Sequence, residues 1–236
     1  MQRLAAVIAE LGWFAALVYG LDRLCAKAGL PMHLQLARLM AVPVAPASRL
    51  PVGRGRGIAV REVGAGDPAL RRLEVTPEVQ AYRFARGAEC LAATKGGEPI
   101  GCVWLAFNGY REDVFRCRFT PQPRGAAAWD FGLYIVPDQR LGLAFVRLWE
   151  ALEERLRARG IRWTMSRIDA ANPVSLAAHA RLGAVRLGSL LVVAVGGVEL
   201  LVATLPPFLR ASRRGGTPPE LRLAAPDPVA RRSAPV

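Results

Sequence analysis

The stretch that most constrains this 236-residue chain runs from residue 126 to 160, where a strand-like run, a short turn and a helix-like run follow without a break. Residues 126–136 read AAAWDFGLYIV, the aromatic and β-branched composition of a central strand, and Pro137 closes it because proline cannot donate to a ladder. Over residues 141–159, Phe145, Leu148, Trp149, Leu152 and Leu156 recur at helical spacing, Glu153 and Arg157 stand four apart, and Gly160 marks the stop. Between the two lies the turn Pro137-Asp138-Gln139-Arg140-Leu141-Gly142-Leu143-Ala144. A helix start exposes backbone N–H groups and the positive end of the helix dipole, so a turn with Gly and Ala can wrap closely around phosphate oxygens. The turn lacks the Lys and Ser/Thr of a nucleotide P-loop and the three-glycine spacing of a dinucleotide fingerprint, which excludes both.

Around this centre the chain reads as four parts: an apolar, amphipathic helical segment over residues 1–39, a Pro/Gly/Arg-rich linker over 40–57, one folded domain over 58–206, and a disordered basic tail over 207–236. Within the domain, strands are expected at 58–63, 89–94, 99–107 and 161–168, and short helices at 67–73 and 77–86. A helix at 173–182 is opened by Asn172 and Pro173 and ended by Gly183, and the apolar runs 184–195 and 198–205 flank Gly196-Gly197 as a hairpin.

The formal charge of +13 comes almost wholly from arginine, since Lys27 and Lys95 are the only lysines, and it concentrates in the linker and the tail. Arg, Ala, Gly and Pro are abundant together, so basicity reflects composition, and no specific nucleic-acid partner is expected. Cys25, Cys90, Cys102 and Cys117 form no C-x-x-C pair, and His33 and His179 complete no ligand set, so free thiols in a reducing cytosol and no metal are expected. Residues 4–21 are apolar apart from Glu10, which fits neither a signal peptide nor a full span. As a helix they put Leu4, Val7, Ile8, Leu11, Phe14 and Val18 on one stripe, suited to docking on the domain, a homodimer contact or a peripheral membrane contact.

Gln139-x-x-Gly142-x-Ala144 resembles the Q/R-x-x-G-x-G/A signature of the GNAT superfamily of acyl-CoA N-acyltransferases. A second segment, Asn172-Pro-Val-Ser175-Leu-Ala-Ala-His179-Ala-Arg-Leu-Gly183, resembles the family's later helix, in which Asn opens, a small residue follows three places on and a Tyr sits seven on. The resemblance covers roughly residues 58–205 and is strongest over 130–188. It implies an α+β fold, three-layer α/β/α, around a mixed, mostly antiparallel sheet with splayed central strands.

The resemblance also implies the chemistry. Acetyl-CoA or another acyl-CoA would be the co-substrate and a primary amine the acceptor, attacking the thioester directly in a ternary complex. Gln139, Arg140, Leu141, Gly142, Leu143 and Ala144 would bind pyrophosphate through backbone amides, Leu133, Tyr134, Ile135 and Val136 would pair with pantetheine, and Asn172 and Ser175 would complete the cofactor site. His179 stands where many relatives carry Tyr and is the candidate acid for the departing thiolate, and Asp130 is the candidate proton sink. Asp169 and Glu98 are competing carboxylates, and Tyr134 and Ser166 candidate cleft residues. The alternatives are a catalytically silent module of this fold that binds a partner or a membrane surface through its N-terminal helix, and a nucleic-acid binder using the arginine-rich linker and tail. A cytoplasmic location is expected, with membrane association left open.

Overall fold

The computed structural model describes residues 12–73, 75–140 and 142–226. In chain order the elements are helix α1 (Trp13–Lys27), strands β1 (Met32–Pro43) and β2 (Ile58–Val63), a 3-10 turn (Pro68–Arg72), α2 (Pro77–Phe84), β3 (Glu89–Lys95), β4 (Glu98–Ala106), β5 (Tyr110–Arg111), β6 (Arg118–Gln122) and β7 (Ala127–Ile135). A second 3-10 turn (Pro137–Gln139), α3 (Ala144–Ala158), β8 (Trp163–Asp169), α4 (Pro173–Arg181), β9 (Val185–Val195), β10 (Val198–Ala203), β11 (Leu209–Arg213) and β12 (Glu220–Ala224) follow.

These elements make two compact units. The α3 unit is Pro43–Asp113 with Pro121–Thr164, and the α4 unit is Met1–Val42, Val114–Thr120 and Met165–Val236. In the α3 unit the strand order is β7-β4-β3-β2, with antiparallel pairing throughout. Side chains alternate across a strand, and here both faces are covered. Cys90, Ala92, Cys102 and Trp104 join a core with Leu70, Leu73 and, at its edge, Phe84, so the first 3-10 turn and α2 lie on that face. Leu91, Ala93, Val103 and Leu105 are buried on the other. Helix α3 packs on β2, β3, β4 and β7 and buries Leu148, Trp149, Leu152 and Leu156, the stripe expected from its spacing.

The linker reading of residues 40–57 meets two differences. Its first residues, Met40 to Pro43, end strand β1, whose burial is nearly continuous and so hides the alternation that marks a strand. Its middle is fastened to α3. Glu150 Oε1 accepts from Ser48 Oγ, Arg49 N and Leu50 N, and the buried Glu153 accepts from Ala45 N and from Arg49 Nε and Nη2. Glu153 thus serves Arg49, and Arg157, its expected helix partner, donates Nη1 to the Ala45 carbonyl.

In the α4 unit the order is β11-β10-β9-β1-β8, with β1·β9, β9·β10 and β10·β11 antiparallel. The expected hairpin is β9–β10, turning on Gly196 and Gly197, both at positive φ. The tail reading also differs, because β11 pairs β10, and β12 is tied to β6 by Arg118 N on Pro219 O and by Thr120 Oγ1 on Glu220. Helix α1 docks through small residues, Ala15 and Val18 packing with Leu36 and Ala170. Of the expected apolar stripe, Leu4, Val7, Ile8 and Leu11 fall outside the described residues, Val18 is buried, and Phe14 is 41% exposed. Trp13, Leu17, Leu21 and Leu24 also face outward, since the close approach of Ala15 leaves the larger side chains on the far face. No described helix is long and apolar enough to cross a membrane.

Candidate functional site

The candidate residues divide between the two units. The α3 unit holds Asp130, Leu133–Val136 and the turn, and the α4 unit holds Asn172, Ser175 and His179.

In the α3 unit the turn forms because β7 ends on its neighbour: Val136 N donates to Ile100 O, and Gln139 N and Gly142 N then close successive turns on Val136 O and Gln139 O. Helix α3 begins at Ala144 with no side chain capping it and no acidic residue in its first turn. The first N–H groups of a helix have no partner within it, so this start offers donors and uncompensated positive charge. Leu141 lies outside the described residues. Gln139 is held by its neighbours, donating Nε2 to Asp138 and accepting from Lys95 Nζ at 3.3 Å, and Arg140 donates Nε to the Ile135 carbonyl at 3.0 Å.

Gly142 has no left-handed φ, and a Cβ there would meet only Gln139 O at 3.4 Å, an ordinary contact. Among the described residues, neither backbone strain nor a crowded neighbour demands glycine. Gly132 is the opposite case: its φ is +55°, and a Cβ would lie 2.6 Å from Arg83 Nη1 and 2.9 Å from Trp104 Cδ1. The β4–β7 register shifts here, Trp104 facing Phe131 while Cys102 faces Tyr134, which makes a bulge at Gly132 and Leu133. The bulge half-exposes Leu133 and Tyr134 in the strand expected to meet pantetheine, whereas Ile135 is buried.

Asp130 is 2% exposed and accepts Thr164 Oγ1 at 2.6 Å, so its carboxylate is deep in the unit. Beneath the bulge lies a cluster that sequence reading missed. Arg83, 6% exposed, pairs Nε with Asp113 at 2.7 Å and sets its guanidinium over Trp104 and Phe131. Burial opposes the charge on Asp113, yet hydrogen bonds involving Glu112 and Arg83 hold its carboxyl below the usual carboxylate range. Burial, with the Asp113 charge, pushes the Tyr110 phenol up. The one signal available was the lone glycine inside a strand, which marks a bulge or a close approach.

In the α4 unit Asn172 caps α4, its Oδ1 accepting Ser175 N at 3.0 Å, and Pro173 takes the first helical position, as the sequence predicts. His179, 3% exposed, lies one turn on, its Nδ1 2.8 Å from the Ser175 carbonyl. A carbonyl only accepts, so Nδ1 carries hydrogen and the neutral ring keeps its lone pair on Nε2. Ser166 Oγ is buried without a hydrogen-bond partner among the described residues. The competing carboxylates are engaged elsewhere, Asp169 with Gln35 Nε2 and Ala171 N, and Glu98 with Arg72. An open groove of about 970 Å³ in this unit, lined by His33, Arg116, Gly197 and Arg214, includes none of the candidates.

The sequence profile of the acetyltransferase (GNAT) family matches residues 64–184. No curated protein matches the chain. Among solved structures, a functionally unknown conserved protein from Staphylococcus epidermidis aligns at 11% identity and TM-score 0.49, over 70% of this chain and 63% of that one. A tandem GNAT protein from the clavulanic acid biosynthesis pathway aligns at 17% and 0.45, over 71% and 55%. A GCN5-related N-acetyltransferase from Sphaerobacter thermophilus aligns at 17% and 0.45, over 83% and 57%. The chain therefore spans less than two thirds of the length of these structures. With more than half of its residues matched by the family profile and the expected α+β, mostly antiparallel architecture in place, the chain belongs to the GNAT acetyltransferase family.

Proposed function

We propose that this protein is an N-acyltransferase that moves an acyl group, most simply acetyl, from acyl-CoA to a primary amine by direct attack. The observation that carries the reading is Gly142, a glycine that the described residues around it do not require, beside a helix start with no side-chain capping bond. A phosphate approaching the turn supplies both missing reasons: it needs the space a side chain would fill, and it compensates the helix charge. Gln139, Arg140, Gly142, Leu143 and Ala144, with Leu141, are the residues proposed to hold pyrophosphate, and Leu133 to Val136 those proposed to meet pantetheine. The Ile135 carbonyl already accepts from Arg140 Nε, so a pantetheine donor there would use its second lone pair.

In the reaction the amine nitrogen bonds to the thioester carbon, the carbon–sulfur bond breaks, the nitrogen loses a proton and the thiolate gains one. Support for Asp130 as the sink is its fixed, buried carboxylate. Support for His179 is its position on α4 and its fixed tautomer; to act as the acid it must enter as imidazolium, with Nε2 protonated. Asn172 and Ser175 serve the site through the shape of the α4 start, because the Asn172 side chain is engaged in the cap. Calorimetric titration with acetyl-CoA tests the reading, and a thiol-release screen across amine libraries identifies the acceptor. Absence of binding at millimolar ligand overturns it.

The outward Trp13, Leu17, Leu21 and Leu24, on a helix that also carries Arg23 and Lys27, favour a further role: contact with an anionic membrane surface through α1. Co-sedimentation with anionic vesicles, lost in W13A/L17A/L24A, tests it; unchanged co-sedimentation overturns it.

A further inference from the structure

Residues 51–57, PVGRGRG, read from sequence as plain linker, yet they are held at both ends within the α3 unit. On one side Ser48, Arg49 and Leu50 are fastened to Glu150 of α3. On the other, Ile58 opens β2 and pairs with Lys95, whose ammonium contacts Gln139 of the turn. Between these anchors the segment folds into tight turns, Arg54 N on Pro51 O and Ile58 N on Gly55 O, with Gly53 and Gly55 at positive φ. A Cβ at Gly55 would lie 2.7 Å from Arg147 Cδ, so the loop rests against the first turn of α3, one helical turn from Ala144.

This contact fixes the side-chain chemistry of the neighbourhood. Arg54 and Arg56 are exposed, with neither in an ion pair among the described residues. Arg147 has a buried Nε without a hydrogen-bond partner and only a loose, 3.7 Å approach to Glu150. Glu150 and Glu153, the carboxylates of α3 nearest the loop, are already occupied by residues 45–50. Against the carboxylate of Asp138 on the turn, which accepts from Gln139, the cations Arg54, Arg56, Arg147, Lys95 and Arg140 leave a local excess of positive charge that a bound anion would relieve.

Resting on the acyl-CoA reading above, we infer that the Pro51 to Gly57 loop is a second phosphate subsite, in which Arg54 and Arg56, backed by Arg147, take the 3′-phosphate on the adenosine end of the co-substrate. Guanidiniums suit a phosphate dianion because they give paired, charge-assisted hydrogen bonds. Gly53 and Gly55, both at positive φ, let the backbone turn sharply on either side of Arg54, which keeps Arg54 and Arg56 on one short loop. The loop thereby selects a CoA thioester over one whose pantetheine arm lacks that phosphate.

Calorimetry on the full chain with CoA and with 3′-dephospho-CoA, for wild type and for R54A/R56A, decides the matter. Both positions are exposed, so the variant is expected to melt as the wild type does. Wild type should prefer CoA by about tenfold or more, and the variant should bind both ligands alike, at the wild-type affinity for the dephosphorylated form. Equal binding of both ligands by wild type, or an undiminished preference in the variant, overturns the subsite and leaves the acyl-CoA reading standing. Binding of neither ligand by wild type removes the acyl-CoA reading itself, and the subsite with it.

Discussion

Helices α3 and α4 begin in opposite ways. The start of α4 is closed by its own chain: Asn172 caps the Ser175 amide and Pro173 removes a donor that would otherwise need a partner. The start of α3 has neither device, and among the described residues the glycine before it has no crowding neighbour. Both starts have the polarity that attracts an anion, but only the one whose donors the chain leaves unspent retains that capacity. The difference teaches that a helix start is read by what caps it, and that the same backbone feature can be a finished corner in one unit and an open set of donors in the other.

The comparison breaks most readily at Gly142. Gly142→Trp fills the turn and should weaken CoA binding roughly a thousandfold in calorimetry, with a melting curve recorded alongside to separate a filled turn from a damaged fold. Retained affinity would falsify the open-start argument. Next in size, Asp130→Asn keeps shape and the Thr164 contact but removes the charge, and should lower kcat about a hundredfold while CoA affinity holds. Equal loss in both would make Asp130 a packing residue. His179→Gln should cost about tenfold in kcat while CoA affinity holds. An equal loss of CoA affinity and melting temperature assigns the ring to structure.

At the closed start, Asn172→Ala should cost about 1 kcal/mol of stability, read by denaturant unfolding, and change CoA affinity less than about threefold. The smallest effect concerns acid. Burial opposes ionisation of Glu150, but bonds from Ser48, Leu50 and Arg49 outweigh it and hold the carboxyl below its ordinary 4.5. A depressed folded pKa contributes stability that is full above 4.5 and fades as pH falls through the lower folded value. Unfolding across that window should therefore show a pH slope that Glu150→Gln reduces; an identical slope in the variant would detach Glu150 from the anchoring of residues 48–50.

Much of the fold was legible because its signals are local. The strand before Pro137, the helix stripe Leu148, Trp149, Leu152 and Leu156, and the Asn172-Pro173 opening each follow from a few neighbouring residues. Strand β1 was not, since Leu39, Met40, Ala41 and Val42 are all buried and a strand covered on both faces loses its alternation. Strands β11 and β12 hid behind arginine and proline: Arg210 and Arg213 read as tail, and only pairing with Leu201 and Val198 of β10 makes their segment a strand. In the candidate site the turn was visible as a motif. The bulge at Gly132 and the Arg83–Asp113 pair beneath it were not, because they join residues far apart in the chain that no spacing rule connects.

The fastening of residues 45–50 to α3 bears on the energetics of recognition. Ordering a free seven-residue arginine loop around a ligand would cost about 1–2 kcal/mol of conformational entropy per residue, enough to erase what its charges contribute. Here Glu150 and Glu153 at one end and β2 at the other impose that order during folding, before any ligand arrives. Arg54 and Arg56 thus stand on a pre-organised loop, and removing the staple should slow nothing in the chemistry while making every phosphate contact start from a disordered chain.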